Sequence, residues 1–263
     1  MGNIGLVARF LKYRVKAKSR YKIHSPFVFD LISKVFRDNT IYDDFKLLDP
    51  FVVELKGNSS LIETTDFGAG AGDNEYQIYL KPLKKIVRER SHNVSHLHLL
   101  YRIARYFNPK YMLEFGTAAG VSTIYLKKGL SDSTMITMEG CPGLSAVARE
   151  NFEKLHLQNV EVANGNFDVM LPNILKKFEK LDFVFFDGNH RKKPTLDYFN
   201  QCMEKAHENT VFLFDDIHWS KGMEDAWETI KGDKRVSLTI DIFWFGLVFF
   251  KGGVVKQNFV VKY

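Results

Sequence analysis

The sequence predicts an α/β protein: a largely parallel sheet with helices on both faces, closed by an antiparallel strand and preceded by a helical N-terminal region. Three observations predict it. From about residue 96 onward, apolar runs of strand length alternate with stretches of helical periodicity, the pattern of repeated βα units. The runs Leu181 to Phe186 and Thr210 to Phe214 are apolar almost throughout, as strands covered on both faces are. Arg235 to Asp241 and Trp244 to Phe250 read as strands with only Ile242 and Phe243 between them. So short a link cannot cross over a sheet, so that pair must be antiparallel.

Taken in order, residues 1–95 form the helical cap or lid region and 96–263 the main domain. In the first region Phe27, Val28, Leu31, Ile32 and Phe36 recur at helical spacing after Ser25-Pro26, an N-cap followed by proline at the first helical position. Ser59 to Asn74 is looser, and its Gly68-Ala69-Gly70-Ala71-Gly72 reads as a flexible loop, a lid or a ligand contact. In the second region His96 to Tyr106 is an amphipathic helix, followed by the strand Tyr111 to Phe115, the helix Val121 to Lys128 and the strand Thr134 to Glu139. Next come the helix Leu144 to Leu155, the strand Val160 to Ala163 and the helix Val169 to Phe178. The apolar strand Leu181 to Phe186, the helix Tyr198 to His207, the strand Thr210 to Phe214, the helix Met223 to Lys231 and the closing pair complete seven strands.

Composition narrows the functional classes. The hydrophobic fraction is 45% and the charged fraction 26%, an ordinary globular balance. No apolar stretch approaches the ~18 residues that span a bilayer. There is no secretory leader pattern, and Leu6 breaks the myristoylation pattern. Cys141 and Cys202 are far apart, which argues against a disulfide framework or zinc site and for a reducing, cytoplasmic setting. The net charge is +6, and Arg9, Lys12, Arg14, Lys16, Lys18, Arg20 and Lys22 all precede the first acid, Asp30. Such a run is either a solvated helix or a surface that meets an anionic membrane face, phosphate or nucleic acid. No aromatic RNA-binding signature or recognition helix accompanies it, so a nucleic-acid partner is not expected.

Two constellations carry chemistry. Glu114-Phe115-Gly116-Thr117-Ala118-Ala119-Gly120 joins the first strand of the main domain to its helix, with Gly116 allowing a tight turn and Ala118 and Gly120 keeping side chains small. The glycine spacing is not GxGxxG, and Glu114 would repel a pyrophosphate, so a dinucleotide is disfavoured. A zwitterionic sulfonium cofactor has no phosphate and tolerates the acid. Glu139 ends the next strand, where an acid accepts hydrogen bonds from ribose hydroxyls. The second constellation is Asp187-Gly188-Asn189-His190 and Asp215-Asp216-Ile217-His218, each at the carboxyl end of a strand, where ligands of open α/β sheets gather. Three carboxylates in one cleft repel unless they share a proton or a cation, and a hard divalent ion suits such oxygen ligands. His190 or His218 could then take a proton from a substrate hydroxyl.

Glu114 to Gly120, Glu139-Gly140, Gly165-Asn166-Phe167-Asp168, Asp187 to His190 and Asp215 to Trp219 resemble, in this order, the successive motifs of class I S-adenosylmethionine (SAM)-dependent methyltransferases. Within that class the chain is similar to the cation-dependent O-methyltransferases of the catechol and caffeoyl-coenzyme A type. His24-Ser25-Pro26-Phe27-Val28-Phe29 and Asp215 to Ser220 look like a bacterial branch typical of Bacteroidetes. The resemblance implies a Rossmann-like seven-stranded sheet with an antiparallel last strand. It implies transfer of a methyl group from SAM to an oxygen of a small acceptor, aromatic acceptors included, with a divalent cation such as Mg2+. The implied cofactor contacts are Glu114, Gly116, Thr117 and Gly120 toward the methionine part, Glu139 and Gly140 at the ribose, Asn166 and Phe167 at the adenine, and Asp187. The implied metal ligands are Asp187, Asp215 and Asp216, while His190 with Asp187 is the catalytic pair expected from the chemistry of the residues themselves. Two departures concern the metal and the base. The family's metal pattern usually ends Asp-Asn and here it is Asp-Asp, and the lysine that often follows the first metal Asp is replaced by the stretch Gly188-Asn189-His190-Arg191.

Three alternatives stay open: metal-independent methylation at O or N, a catalytically silent module acting through the basic N-terminal arm, and a homodimer built on the apolar closing strands. Acceptor-lining residues are expected from Asp73 to Val94 and around Trp219 and Trp244.

Overall fold

The structure is a computed structural model that describes residues 2–65 and 78–263. The glycine-rich stretch 68–72 and the first part of the expected acceptor-lining segment lie outside the described residues. The chain divides into two compact units, one of residues 38–174 and one of residues 1–37 with 175–263. Each unit draws segments from both sides of residue 95.

The front of the second unit holds α1 (Gly2–Lys16) and α2 (Pro26–Leu31), the latter running on as a π-type turn to Phe36. Ser25 caps α2 by accepting from the Val28 amide, and Pro26 takes the first helical position, as the sequence predicts.

The unit of residues 38–174 contains α3 (Phe45–Leu55), β1 (Leu61–Thr65), β2 (Ile78–Pro82), α4 (Leu83–Arg90) and α5 (Val94–Phe107). It goes on through β3 (Tyr111–Phe115), α6 (Val121–Lys127), β4 (Thr134–Glu139), α7 (Pro142–Lys154), β5 (Val160–Asn164) and α8 (Phe167–Leu175). Helix α5 starts where the Asn93 side chain accepts from the His96 amide and stops at Asn108, whose φ of 45° ends the helical path. β3 pairs with β4 and β4 with β5, all parallel, which brings the strand ends after Phe115, Glu139 and Asn164 to one edge. β1 and β2 form a separate antiparallel hairpin where the sequence pattern predicts no strand. The hairpin lies against the start of α7: a Cβ on Gly143 would stand 2.2 Å from the Glu63 carbonyl oxygen, and Ile62 packs on Ile86, Cys141 and Leu144.

Gly120 shows what the turn before α6 demands. Its φ is +82°, and a Cβ there would stand 2.5 Å from the Phe152 ring of α7. Gly120→Ala combines a left-handed backbone with a clash against a buried ring and is expected to lower stability by ~2–4 kcal/mol, read by denaturant unfolding. An unchanged midpoint would show that α7 can retreat.

The rest of the second unit comprises β6 (Phe183–Phe186), α9 (Lys192–Met203), β7 (Val211–Asp215), α10 (Lys221–Gly232), β8 (Leu238–Asp241), β9 (Phe245–Phe249) and β10 (Gln257–Val260). β6 runs parallel to β7, and every residue of both strands is buried. β9 is antiparallel to both β7 and β8, as the short link predicts. The expected seven strands are all present, but the antiparallel one is not last. β10 follows it and pairs parallel with β8. Its Gln-Asn-Phe-Val sequence carries no alternating pattern. It is placed by partners far along the chain: Thr239 donates to Asn258 at 2.7 Å, and Lys18 donates its amide to the Val260 carbonyl.

Candidate active site

In the unit of residues 38–174 the loop after β3 is held in an unusual path. Gly116, Ala118 and Gly120 have φ of 94°, 46° and 82°. Ala118 carries a side chain in that region, a strained conformation of the kind found where a backbone must meet a ligand. Hydrogen bonds hold the path. The Gly116 and Thr117 amides both donate to the Met138 carbonyl at 3.0 Å, and the Ala118 amide donates to Glu139 Oε2 at 2.8 Å.

Glu139 is 7% exposed. Its other oxygen accepts from the Cys141 amide at 2.8 Å, and the Gly140 amide adds a further backbone hydrogen bond to the carboxylate. Burial pushes its pKa up, against the opposing effect of the Cys141 and Ala118 amides. Gly140 follows it, and the Asn164 amide group donates to the Glu139 carbonyl and to Ser145 Oγ, both at 2.9 Å. Asn166 is exposed and caps the next turn through the Asp168 amide, while Phe167 meets Phe115 edge-on at 5.8 Å.

Glu114 has a different place from the one expected of a cofactor contact. It is 0% exposed, and its carboxylate accepts from Ser122 at 2.7 Å, Thr123 at 2.5 Å and Thr137 at 2.6 Å. Thr117, also buried, shares a 2.6 Å hydrogen bond with Thr137. Both side chains brace the loop from beneath, because three hydroxyls satisfy the charge that burial would otherwise penalise. The signal was in the sequence as Ser122, Thr123 and Thr137, but hydroxyls alone do not announce their acceptor. Gly120 likewise faces Phe152 and Ala148. His96, another histidine near the start of this domain, is buried and its pKa falls to about 4, so it is neutral at physiological pH.

In the unit of residues 1–37 and 175–263, the ends of β6 and β7 bring Asp187, His190, Asp215 and Asp216 together. His190, Asp215 and Asp216 each place a ligand-type atom within 4.8 Å of the others. His190 Nε2 stands 3.6 Å from Asp187 Oδ1. Asp216 and Asn189 have φ of 54° and 53°, both types that tolerate the left-handed region. Burial raises the Asp215 pKa well above the carboxylate range, and the charges of Asp187 and Asp216 and a hydrogen bond with Asp187 raise it further. For His190, burial works downward, but the hydrogen bond and charge of Asp187 and the charge of Asp216 outweigh it and leave its pKa raised. A carboxylate-rich set with one imidazole beside it fits a hard divalent cation, and the mutual repulsion of the carboxyls is what such a cation relieves.

His218, the other histidine considered as a base, is engaged elsewhere. Its ring nitrogens face two carboxylate acceptors, Nδ1 at 3.2 Å from Glu224 and Nε2 at 2.9 Å from Asp241, and it stacks on Phe243 at 5.2 Å. Its carbonyl and that of Trp219 each accept from Arg9 of α1 at 2.8 Å, so α1 tethers the loop just beyond Asp216. Burial lowers the His218 pKa, but Asp241 and Glu224 outweigh it and raise it. An imidazole with a pKa higher folded than unfolded stabilises fully below its unfolded value of about 6.5, and this contribution fades as pH rises through the folded value. His218→Gln is therefore expected to lower the Tm by more degrees at pH 6 than at pH 9. Equal losses at both pH values would show that the charge contributes nothing.

Comparison with known proteins agrees with this architecture. Residues 113–217 match a family described as a methyltransferase domain. That segment runs from within β3 to just beyond Asp216. A catechol O-methyltransferase of Niastella koreensis is 29% identical over 121 residues, covering 45% of this chain and 54% of that protein. An O-methyltransferase of Aspergillus flavus is 28% identical over 114 residues, covering 41% and 45%. The chain thus spans about half the length of the curated relatives it matches. Among solved structures, the O-methyltransferase of Bacillus cereus in complex with S-adenosylhomocysteine (SAH) superposes with a TM-score of 0.58 at 20% identity, covering 90% of this chain and 99% of that one. The Streptomyces achromogenes O-methyltransferase of tomaymycin synthesis, in complex with SAM, gives 0.54 at 22% identity, covering 62% and 82%. At these identities the likeness is one of fold, the Rossmann-like methyltransferase fold.

Proposed function

We propose that the chain transfers a methyl group from SAM to a hydroxyl oxygen of a small acceptor, with a divalent cation held by Asp187, Asp215 and Asp216. The observation that carries this reading is the cluster at the ends of β6 and β7, where an imidazole stands beside carboxyls that repel one another. The relatives named as catechol and other O-methyltransferases favour oxygen as the receiving atom.

SAM would supply an electrophilic methyl on sulfur, and the cation would draw in the acceptor oxygen and lower its pKa. The rest falls to this chain's residues. Glu139 would accept hydrogen bonds from the ribose hydroxyls on its carboxylate. Gly116, Ala118 and Gly140 keep backbone close to the ligand. Asn166 and Phe167 flank the adenine, one by hydrogen bonding and one by its ring. Asp187, Asp215 and Asp216 would hold the cation, which would help to align the acceptor oxygen, and alignment supplies much of the rate of a displacement. His190 receives the hydroxyl proton at Nε2 or Nδ1, with Asp187 stabilising the imidazolium that results.

The test is calorimetric binding of SAM and SAH, followed by methyl transfer to a panel of catechols with magnesium or with chelator. Micromolar SAM binding and transfer abolished by chelator is the expected result. Transfer indifferent to chelator would remove the cation, and no SAM binding would remove the whole reading.

A further inference from the structure

We propose that the outer face of α1 is a lipid-binding face that seats the protein on an anionic membrane surface. The inner face of α1 is fixed: Arg9 holds the His218 and Trp219 carbonyls, Phe10 and Tyr13 pack on Phe243 at 4.9 and 5.3 Å, and Tyr13 donates to the Val261 carbonyl at 2.5 Å. Its opposite side carries Val7, Leu11 and Val15, which are 57%, 60% and 88% exposed. Four-residue spacing puts the three on one continuous stripe.

Single exposed apolar residues are ordinary, but an aligned apolar stripe on an otherwise anchored helix is not. Lys12 and Lys16 border it on one side and Arg14 on the other, all exposed. Lys18, Arg20 and Lys22 continue the cationic run, with Tyr21 78% exposed among them and no acid before Asp30. Trp219, whose carbonyl Arg9 holds, is 55% exposed. Apolar stripe, cationic borders and exposed aromatics together make the pattern of a helix that lies in the lipid headgroup plane. At 15 residues, or ~22 Å, α1 can lie on a bilayer, and no helix among the described residues is long and apolar enough to cross one.

Charge decides between occupants. A second copy docking face to face would bring two runs of cations together, which repel. A nucleic acid would match the cations but leave the stripe in water. An anionic bilayer satisfies both.

The test is co-sedimentation of the full chain with phosphatidylcholine vesicles, with and without phosphatidylglycerol. Wild-type protein is expected to pellet with the anionic vesicles and to be released by salt. Lys12→Gln, Arg14→Gln and Lys16→Gln together are expected to reduce partitioning by roughly 10²-fold, at about 1 kcal/mol per cation near the surface. Val7→Ser, Leu11→Ser and Val15→Ser together are expected to lose binding with an unchanged melting curve, because these side chains are exposed. Any of three results would overturn the inference: serine variants that bind like wild type, a dimer in solution that Leu11→Asp dissolves, or binding to duplex DNA without binding to vesicles. SAM binding by calorimetry is independent of these outcomes.

Discussion

Asp215→Asn is expected to melt at a higher temperature than the unmodified protein in cation-free buffer at neutral pH, while losing roughly 10²–10³-fold in methyl transfer. The stability gain follows from linkage. The Asp215 carboxyl is fully buried beside Asp187 and Asp216, and its pKa is raised well above the usual range. A carboxyl with a raised folded pKa binds its proton more tightly in the native state. It therefore weakens the fold at any pH above its unfolded value of about 3.9, the more so as pH rises toward the folded value. A neutral isostere removes that penalty and keeps an oxygen to accept the Asp216 amide. The Tm difference should shrink to nothing below about pH 4, where both states carry the proton. The loss of activity follows from the other half of the same geometry, because an amide is a much poorer ligand for a hard cation than a carboxylate. Added magnesium should raise the Tm of the unmodified protein and leave the variant unmoved. A variant that is less stable at every pH, or equally responsive to magnesium, would refute the account of the cluster. This trade of stability for function is what a site held in mutual repulsion predicts.

Glu139→Ala is expected to weaken SAM and SAH binding by roughly 10²-fold and also to lower the Tm. Two charge-assisted hydrogen bonds to ribose hydroxyls are worth about 1.5–3 kcal/mol each, so losing both at the low end of that range gives the expected loss. The stability loss has a separate origin. Glu139 accepts from the Ala118 and Cys141 amides, and without it both donors are stranded in a buried loop. Ala118 sits at positive φ, so the loop path itself should relax. Glu139→Gln separates the two effects. Its oxygen serves one amide and its nitrogen opposes the other, so it should recover part of the Tm while ligand affinity stays low. Calorimetry and thermal melts on the two variants check this, and a dissociation constant unchanged in Glu139→Ala would place the ribose elsewhere.

Much of the architecture was legible because it is written locally. Strand and helix periods of 2 and 3.6 residues, Ser25-Pro26 before α2 and the two-residue link between the closing strands each specify structure within a few positions. The candidate site was legible in part for the same reason: Glu139 stands at the end of β4, and Asp187, Asp215 and Asp216 stand at the ends of β6 and β7, and within each unit parallel strands put their ends on one edge. The exceptions share one cause. β1 and β2 have no strong alternation, and they pair across a separation the pattern does not bridge. β10 depends on Lys18 and Thr239, and Arg9 finds its acceptors 209 and 210 residues away.

Side-chain roles divide the same way. That Glu114 follows a strand is local, whereas its three hydroxyl donors come from α6 and β4 and turn an apparent ligand contact into a brace. His190 and His218 look alike in sequence, each three residues after an aspartate at a strand end. Only packing assigns His190 to the carboxyl cluster and His218 to Glu224 and Asp241. Local sequence was enough to specify the strands and helices of the βα run and which chemical groups stand at their strand ends, though not β1, β2 or β10, because backbone propensity and side-chain period act over one or two turns. The tertiary structure alone decided which of those groups meet, because a buried charge takes its partner from whatever the long-range packing sets beside it.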